Sequence, residues 1–169
     1  MQIMQSTTAV TAAPAVGTHI ADFTLKLATK DSYGTDFKLS EHLGKGPIVF
    51  AFFPAAFTGI CTKEVCDLRD NMAALGSLNA QVFGFSTDKA PSNMAFIQKE
   101  NLPFTIVSDP NREVIGKVWP AYTTPVVGAT GVAKRGAMVL NADGTVKWAF
   151  ASDDVKVWVG TEEIRKQLA

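Results

Sequence analysis

Apolar and polar residues alternate at Phe23, Leu25 and Leu27, which predicts a half-buried strand over 21–28. A turn at Asp31–Gly34 and a short strand at Thr35–Leu39 make this an N-terminal β-hairpin. Ser40 stands where it can cap a helical turn over 41–44. Pro47 to Phe53 is apolar almost throughout, the pattern of a strand buried on both faces. At Gly59 the period changes. Cys61, Val65, Leu68, Met72 and Leu75 fall at i, i+4, i+7, i+11 and i+14, predicting a helix to about Leu78 with one continuous buried face. A strand over Gln81–Ser86 follows, then a helix over Pro91–Glu100 with proline in its first turn. Phe104–Val107 reads as a short strand, and Asp109-Pro110 as the start of a helix carrying Val114, Ile115 and Val118. Trp119 to Lys134 is irregular, broken by Pro120, Pro125, Gly128 and Gly131; a loop that long in a compact domain is usually functional or mobile. Asn141-Ala142-Asp143-Gly144 joins strands at Gly136–Leu140 and Thr145–Phe150, and Thr161–Leu168 closes the chain as a helix.

Strands alternating with helices, then a hairpin and a helix, imply an α/β sandwich with a central mixed sheet flanked by helices. The order resembles the thioredoxin-like fold. Crossover handedness then places Cys61 at the carboxyl end of a central strand. No repeat or linker interrupts 18–169, which reads as one domain. Residues 1–17, rich in Gln, Ser, Thr, Ala and Val, read as a flexible arm.

Composition narrows the partners. Lys+Arg and Asp+Glu are both 16, so no basic surplus points to nucleic acid. The longest apolar run, Pro47 to Phe57, contains Pro54 and falls short of the roughly 20 residues that span a membrane. The N-terminus lacks the basic start and compact apolar stretch of a secretory leader, and the expected compartment is the cytoplasm. Two cysteines in 169 residues are not a disulfide scaffold. With His19 and His42 they form no zinc spacing, and no metal or cofactor is expected.

Both cysteines lie where the apolar run meets the helical pattern. Cys61 falls at the helix start, where backbone N–H groups lack partners and the macrodipole favours a thiolate, the nucleophilic form of cysteine. A thiolate cleaves a peroxide by in-line displacement, with charge developing on the departing oxygen, and hydrogen-bond donors must meet that charge. Thr58 can turn its hydroxyl into the pocket or cap the helix, and the N–H groups of Ile60 and Cys61 face the same space. Pro54 fixes φ and can shape a loop that excludes water.

The motif Pro54-x-x-x-Thr58-x-x-Cys61 resembles the active-site signature of the peroxiredoxins. The Val49–Phe53 strand, Cys66-Asp67-Leu68-Arg69-Asp70, Ser108-Asp109-Pro110 and Lys134-Arg135-Gly136-Ala137 are similar to segments of that family. The resemblance covers roughly 18–150. It implies a thiol-dependent peroxidase for hydrogen peroxide or organic hydroperoxides, with thioredoxin or another thiol as reductant and a monomer or homodimer as the assembly. Cys61 would be the peroxidatic cysteine, Thr58 and Arg135 would bind and polarise the peroxide, Pro54 would shield the site, and Glu64 would orient the arginine. At Cys66 the chain resembles the bacterioferritin-comigratory (Q) type, in which such a pair forms an intramolecular disulfide. Over Phe53–Cys61 it is closer to the alkyl hydroperoxide reductase E type.

Geometry constrains Cys66. Five helical residues separate two Cα atoms by about 8.6 Å, whereas a disulfide wants less than about 7 Å. A bond between Cys61 and Cys66 therefore requires the first turns of the helix to unwind. The alternatives are a one-cysteine peroxidase served by an external thiol, and a peroxide sensor or chaperone-like binding protein. A disulfide carrier of thioredoxin type is disfavoured, because Glu64 occupies the position of its second cysteine. Trp119 and Tyr122 read as packing residues, or as a rim of the site or of a dimer contact.

Overall fold

A computed structural model describes residues 9–169. The strands are β1 (Thr24–Ala28), β2 (Tyr33–Lys38), β3 (Ile48–Phe52), β4 (Gln81–Ser86), β5 (Thr105–Ser108), β6 (Gly136–Leu140) and β7 (Val146–Ala151). The helices are α1 (Gly59–Asp70), α2 (Met72–Ser77), α3 (Ala90–Glu100) and α4 (Thr161–Leu168). The strands form one mixed sheet in the order β2-β1-β5-β4-β3-β6-β7. β3 runs parallel to β4 and antiparallel to β6. This is the α/β architecture with an N-terminal hairpin that the sequence predicts.

The uninterrupted apolar run explains why β3 is central. Val49, Ala51 and Phe53 face a core shared with Val65 and Leu68 of α1, Phe96 and Ile97 of α3, and Ile164 of α4. Ile48, Phe50 and Phe52 face a second core with Phe37, Phe85, Ile115, Trp119 and Met138. Only a strand apolar at every position satisfies both faces, each buried large side chain contributing about 1.5–3 kcal/mol.

Four local expectations are corrected. The hairpin turn is Thr29–Ser32, because the Thr29 hydroxyl accepts the N–H groups of Asp31 and Ser32 and starts β2 early. Ser40 caps nothing. A 3₁₀ turn spans Leu39–Glu41, and the Ser40 N–H donates to Asp22. The helix predicted to run from Gly59 to Leu78 breaks at Asn71. Asn71 Nδ2 donates to the Asp67 carbonyl at 2.8 Å, and its backbone N–H donates to the Leu68 carbonyl, three residues back. No helix forms after Asp109. Its buried carboxylate accepts the N–H groups of Glu113, Val114 and Ile115, which fixes a series of turns and lays Val114, Ile115 and Trp119 across the second core.

The N-terminal arm is described from Ala9 onward; residues 1–8 lie outside the described residues. The N–H of Val10 donates to Gly116 and that of Gly17 to Val146, so this part runs along the body.

Candidate active site

β3 ends at Phe52, and the chain turns through Phe53–Thr58 into α1. Pro54 is buried at the start of that turn. The Ala56 N–H donates to Asp88 Oδ2 at 2.8 Å, tying the turn to the segment between β4 and α3. Phe57 takes a left-handed conformation, φ 64°, that a bulky residue seldom adopts. Its ring lies 5.2 Å from Phe96 and 5.6 Å from Lys99 Nζ, both on α3. This anchorage holds the strained residue in place.

The Thr62 N–H makes the first helical bond of α1, to the Thr58 carbonyl. The N–H groups of Gly59, Ile60 and Cys61 therefore have no intrahelical acceptor. Thr58 occupies the N-cap position, but its hydroxyl does not cap the helix; it donates to the Ala55 carbonyl at 2.8 Å, leaving its lone pairs free.

Cys61 is buried. Arg135 Nη2 lies 3.1 Å from its Sγ, and Arg135 Nη1 donates to Glu64 Oε1 at 2.8 Å. Cys61 and Glu64 are three residues apart and share one helix face. Arg135 arrives from 74 positions along the chain. The register Phe52↔Gly136 sets it beside the end of β3, just outside β6. Gly136 is needed there, because a Cβ would strike the Phe150 carbonyl and press on Trp119. The Arg135 side chain is almost wholly enclosed, and the guanidinium stays charged: burial opposes it, but Glu64 and Cys61 outweigh burial. Burial pushes the Glu64 carboxyl well above its ordinary value, and Arg135 offsets only part of that.

A cradle that the sequence does not announce fixes Arg135. Its Nε donates to the Val155 carbonyl at 2.8 Å. Its backbone N–H donates to Tyr122 Oη at 3.2 Å, and Tyr122 Oη donates to the Ser152 carbonyl at 2.9 Å. The Ser152 N–H returns to the Arg135 carbonyl at 2.7 Å. Trp119, stacked on Phe52 with centroids 4.0 Å apart, donates from Nε1 to the Lys134 carbonyl. Trp119 and Tyr122 are thus packing residues, and what they pack is the arginine. Pro120 and Pro125, which mark the segment as irregular, carry no signal for this. The aromatic residues flanking the segment were the available clue.

Cys66 is not brought to Cys61. Its Sγ contacts Glu100 Oε2 at 3.5 Å near the end of α3, and both cysteines are free. Burial, then the Glu100 carboxylate, pushes the Cys66 thiol upward. Beyond it α1 is clipped down. Asp67 Oδ2 accepts Trp158 Nε1, the Thr161 N–H and the Thr161 hydroxyl at 2.7–2.8 Å, and Arg69 Nη1 donates to the Glu100 carbonyl.

His42 stacks on Phe37 and His19 bridges to Thr145, so neither forms a Cys–His pair. Among the described residues no group of three His, Cys, Asp or Glu side chains converges as a metal site. A cavity of about 640 Å³ lies behind Tyr122, lined by Val10, Arg112 and Lys134, and does not reach Cys61. No described helix is long and apolar enough to cross a membrane.

The chain is similar to known proteins in sequence and in fold. The model of the AhpC/TSA family matches residues 16–149. A putative peroxiredoxin of Mycobacterium tuberculosis is 34% identical over 142 residues, covering 82% of this chain and 87% of that protein. Peroxiredoxin Bcp of Escherichia coli is 34% identical over 137 residues, covering 80% and 85%. Among solved structures, peroxidoxin BcpB of M. tuberculosis superposes with a TM-score of 0.76 at 27% identity, covering 90% of this chain and 95% of that one. AhpC of Enterococcus faecalis, at 22% identity and a TM-score of 0.78, shares the fold.

Proposed function

The chain belongs to the AhpC/TSA family and is a thiol-dependent peroxidase of peroxiredoxin type; from that premise we propose that Cys61 is its peroxidatic cysteine and Cys66 its resolving cysteine. The observation that carries the first assignment is the buried Arg135 Nη2 at 3.1 Å from Cys61 Sγ. The thiolate attacks one peroxide oxygen, and the O–O bond breaks toward the other. Arg135, held in place by Glu64, faces both the sulfur and the charge that develops. The amides at the start of α1 complete the donor set, the free lone pairs of the Thr58 hydroxyl can accept the hydrogen of the peroxide, and buried Pro54 limits water at the sulfur. Hydrogen peroxide or an organic hydroperoxide is reduced, and Cys61 becomes a sulfenic acid.

In the folded helix Cys66 stands about 8.6 Å from Cys61 by helical geometry and faces Glu100. Resolution therefore requires residues 59–66 to unwind, after which Cys66 attacks the sulfenic acid and releases water. Thioredoxin or another thiol reductant reopens the disulfide by exchange. The need for such a reductant favours the cytoplasm, with the chain acting as a monomer or homodimer. The orientation of Cys66 and its raised thiol also support a second reading, in which an external thiol attacks Cys61 directly.

Steady-state peroxide consumption and oxidised mass for wild type, Cys61→Ser and Cys66→Ser test this. Cys61→Ser should abolish turnover. After one equivalent of peroxide the wild type should lose two hydrogens, and Cys66→Ser should gain one oxygen. An oxygen adduct in the wild type with full turnover in Cys66→Ser would establish the one-cysteine reading. A single reaction without turnover would identify a sensor.

A further inference from the structure

Glu64 does more than orienting Arg135 requires. Its carboxyl is fully enclosed, Oε1 accepts Arg135 Nη1 at 2.8 Å, and Oε2 has no hydrogen-bond partner among the described residues. An ionised carboxylate spreads charge over both oxygens and, when buried, needs donors at each. One served oxygen and one bare oxygen match a neutral acid, with Oε1 the carbonyl and Oε2 the hydroxyl. Arg135 is also shared: Nη2 serves Cys61 while Nη1 serves Glu64. One buried cation thus faces two acids on one face of α1. The remaining titratable neighbours coupled to Glu64 are Asp67, one turn along α1, and Tyr122, before β6. Neither brings positive charge. With Cys61 and Glu64 both ionised, the pocket would hold a surplus negative charge in a dry environment. Burial, with Asp67 adding to it, pushes the Glu64 carboxyl up against the pull of Arg135.

We propose that Cys61 and Glu64 hold a single negative charge between them, and that Glu64 supplies the proton consumed when the peroxide is cleaved. This rests on the peroxidase reading above. In the reduced site Cys61 is the thiolate and Glu64 the acid. Sγ bonds to the proximal peroxide oxygen, which keeps its hydrogen. The O–O bond breaks with its electron pair on the distal oxygen, and the Glu64 proton passes to that oxygen. The products are a neutral sulfenic acid at Cys61, a molecule of water or alcohol, and a carboxylate at Glu64. The sulfur is oxidised and the peroxide reduced by the same electron pair. Net charge in the pocket is unchanged, because Arg135 neutralises the thiolate before the step and the carboxylate after it. When a thiol reductant returns Cys61 to the thiol, its proton moves to Glu64 and the site is reset.

Infrared difference spectroscopy tests this on the full chain. The Cys66→Ser background holds the protein at the sulfenic acid. One equivalent of hydrogen peroxide should remove a carboxylic-acid carbonyl band and create a carboxylate band. Both should be missing from Glu64→Gln in the same background and from Cys61→Ser. A pH indicator in weak buffer gives a second readout: the Glu64→Gln variant should take up a stoichiometric proton from solvent as the sulfenic acid forms, and the parent should not. An oxygen adduct at Cys61 without the carbonyl loss, or equal proton uptake in both proteins, overturns the role of Glu64 alone. Failure to form the adduct at all refutes the peroxidase reading instead.

Discussion

Arg135 shows how much of the site depends on residues that never touch the sulfur. Its guanidinium reaches Cys61 only because Tyr122, Ser152 and Val155 hold its backbone and Nε. Tyr122→Phe removes one acceptor and one donor from this buried network while keeping the ring. A stability loss of about 1–2 kcal/mol is expected. The rate of Cys61 oxidation by peroxide should fall roughly 10-fold, the effect of about 1.4 kcal/mol on a barrier. Stopped-flow oxidation followed beside chemical denaturation checks both. An unchanged oxidation rate in a destabilised protein would show that Tyr122 supports the fold without positioning Arg135. At this scale Pro54, Thr58 and Cys61 were legible in the sequence as types at fixed spacing, and Arg135 only as what the resemblance to the peroxiredoxins implied. Tyr122 was visible only as an aromatic in an irregular stretch, because its partner is a backbone N–H and no spacing rule describes that pairing.

The proposed resolution step requires the first helix to open before Asp67, where a set of hydrogen bonds clips the rest of it down. Gly59–Cys66 carries Cys61, Glu64 and Cys66, whereas Asp67 and Arg69 tie the remainder to α4 and α3. Peptide-level hydrogen exchange on the reduced protein should show faster exchange over 59–66 than over 67–70. Uniform protection along α1 would contradict a hinge at Asp67. The clip is also sensitive to acid. Burial alone would raise the Asp67 carboxyl, but the bonds from Thr161 and Trp158 outweigh it and hold the group below its ordinary value of 3.8. A depressed carboxyl stabilises the fold above its unfolded pKa. That contribution is lost as pH falls through the folded value, so exchange over 67–70 should rise below about pH 4. In Asp67→Asn the acid dependence should disappear. The break at Asn71 escaped the apolar period, since Met72 and Leu75 continue the same face. A side-chain amide competing for one carbonyl was enough to end the helix.

Over the whole molecule, one face of the sheet carries α1, α3 and α4, and the other is closed by the segment from Asp109 to Trp119. One buried carboxylate organises that closure by accepting three backbone N–H groups. Asp109→Ala should cost about 3 kcal/mol through the amides left unpaired, lowering Tm by roughly 6–12 °C for a domain of this size. Trp119 would lose its support against Phe52, and peroxide oxidation of Cys61 should slow with it. A Tm within 2 °C of the wild type, taken as a rough bound on experimental scatter, would show that the turns hold without Asp109. The succession of strands and helices along the chain, the centrality of β3 and the start of α1 were determined by the chain alone, because period, apolar runs and turn residues act between near neighbours. The pairing of Arg135 with Cys61 and Glu64, the enclosure of the Glu64 carboxyl, the turn of Cys66 toward Glu100 and the turns held by Asp109 were decided only by the tertiary structure. Each joins segments whose distance and burial depend on how the sheet is ordered and covered, and a linear pattern carries neither quantity.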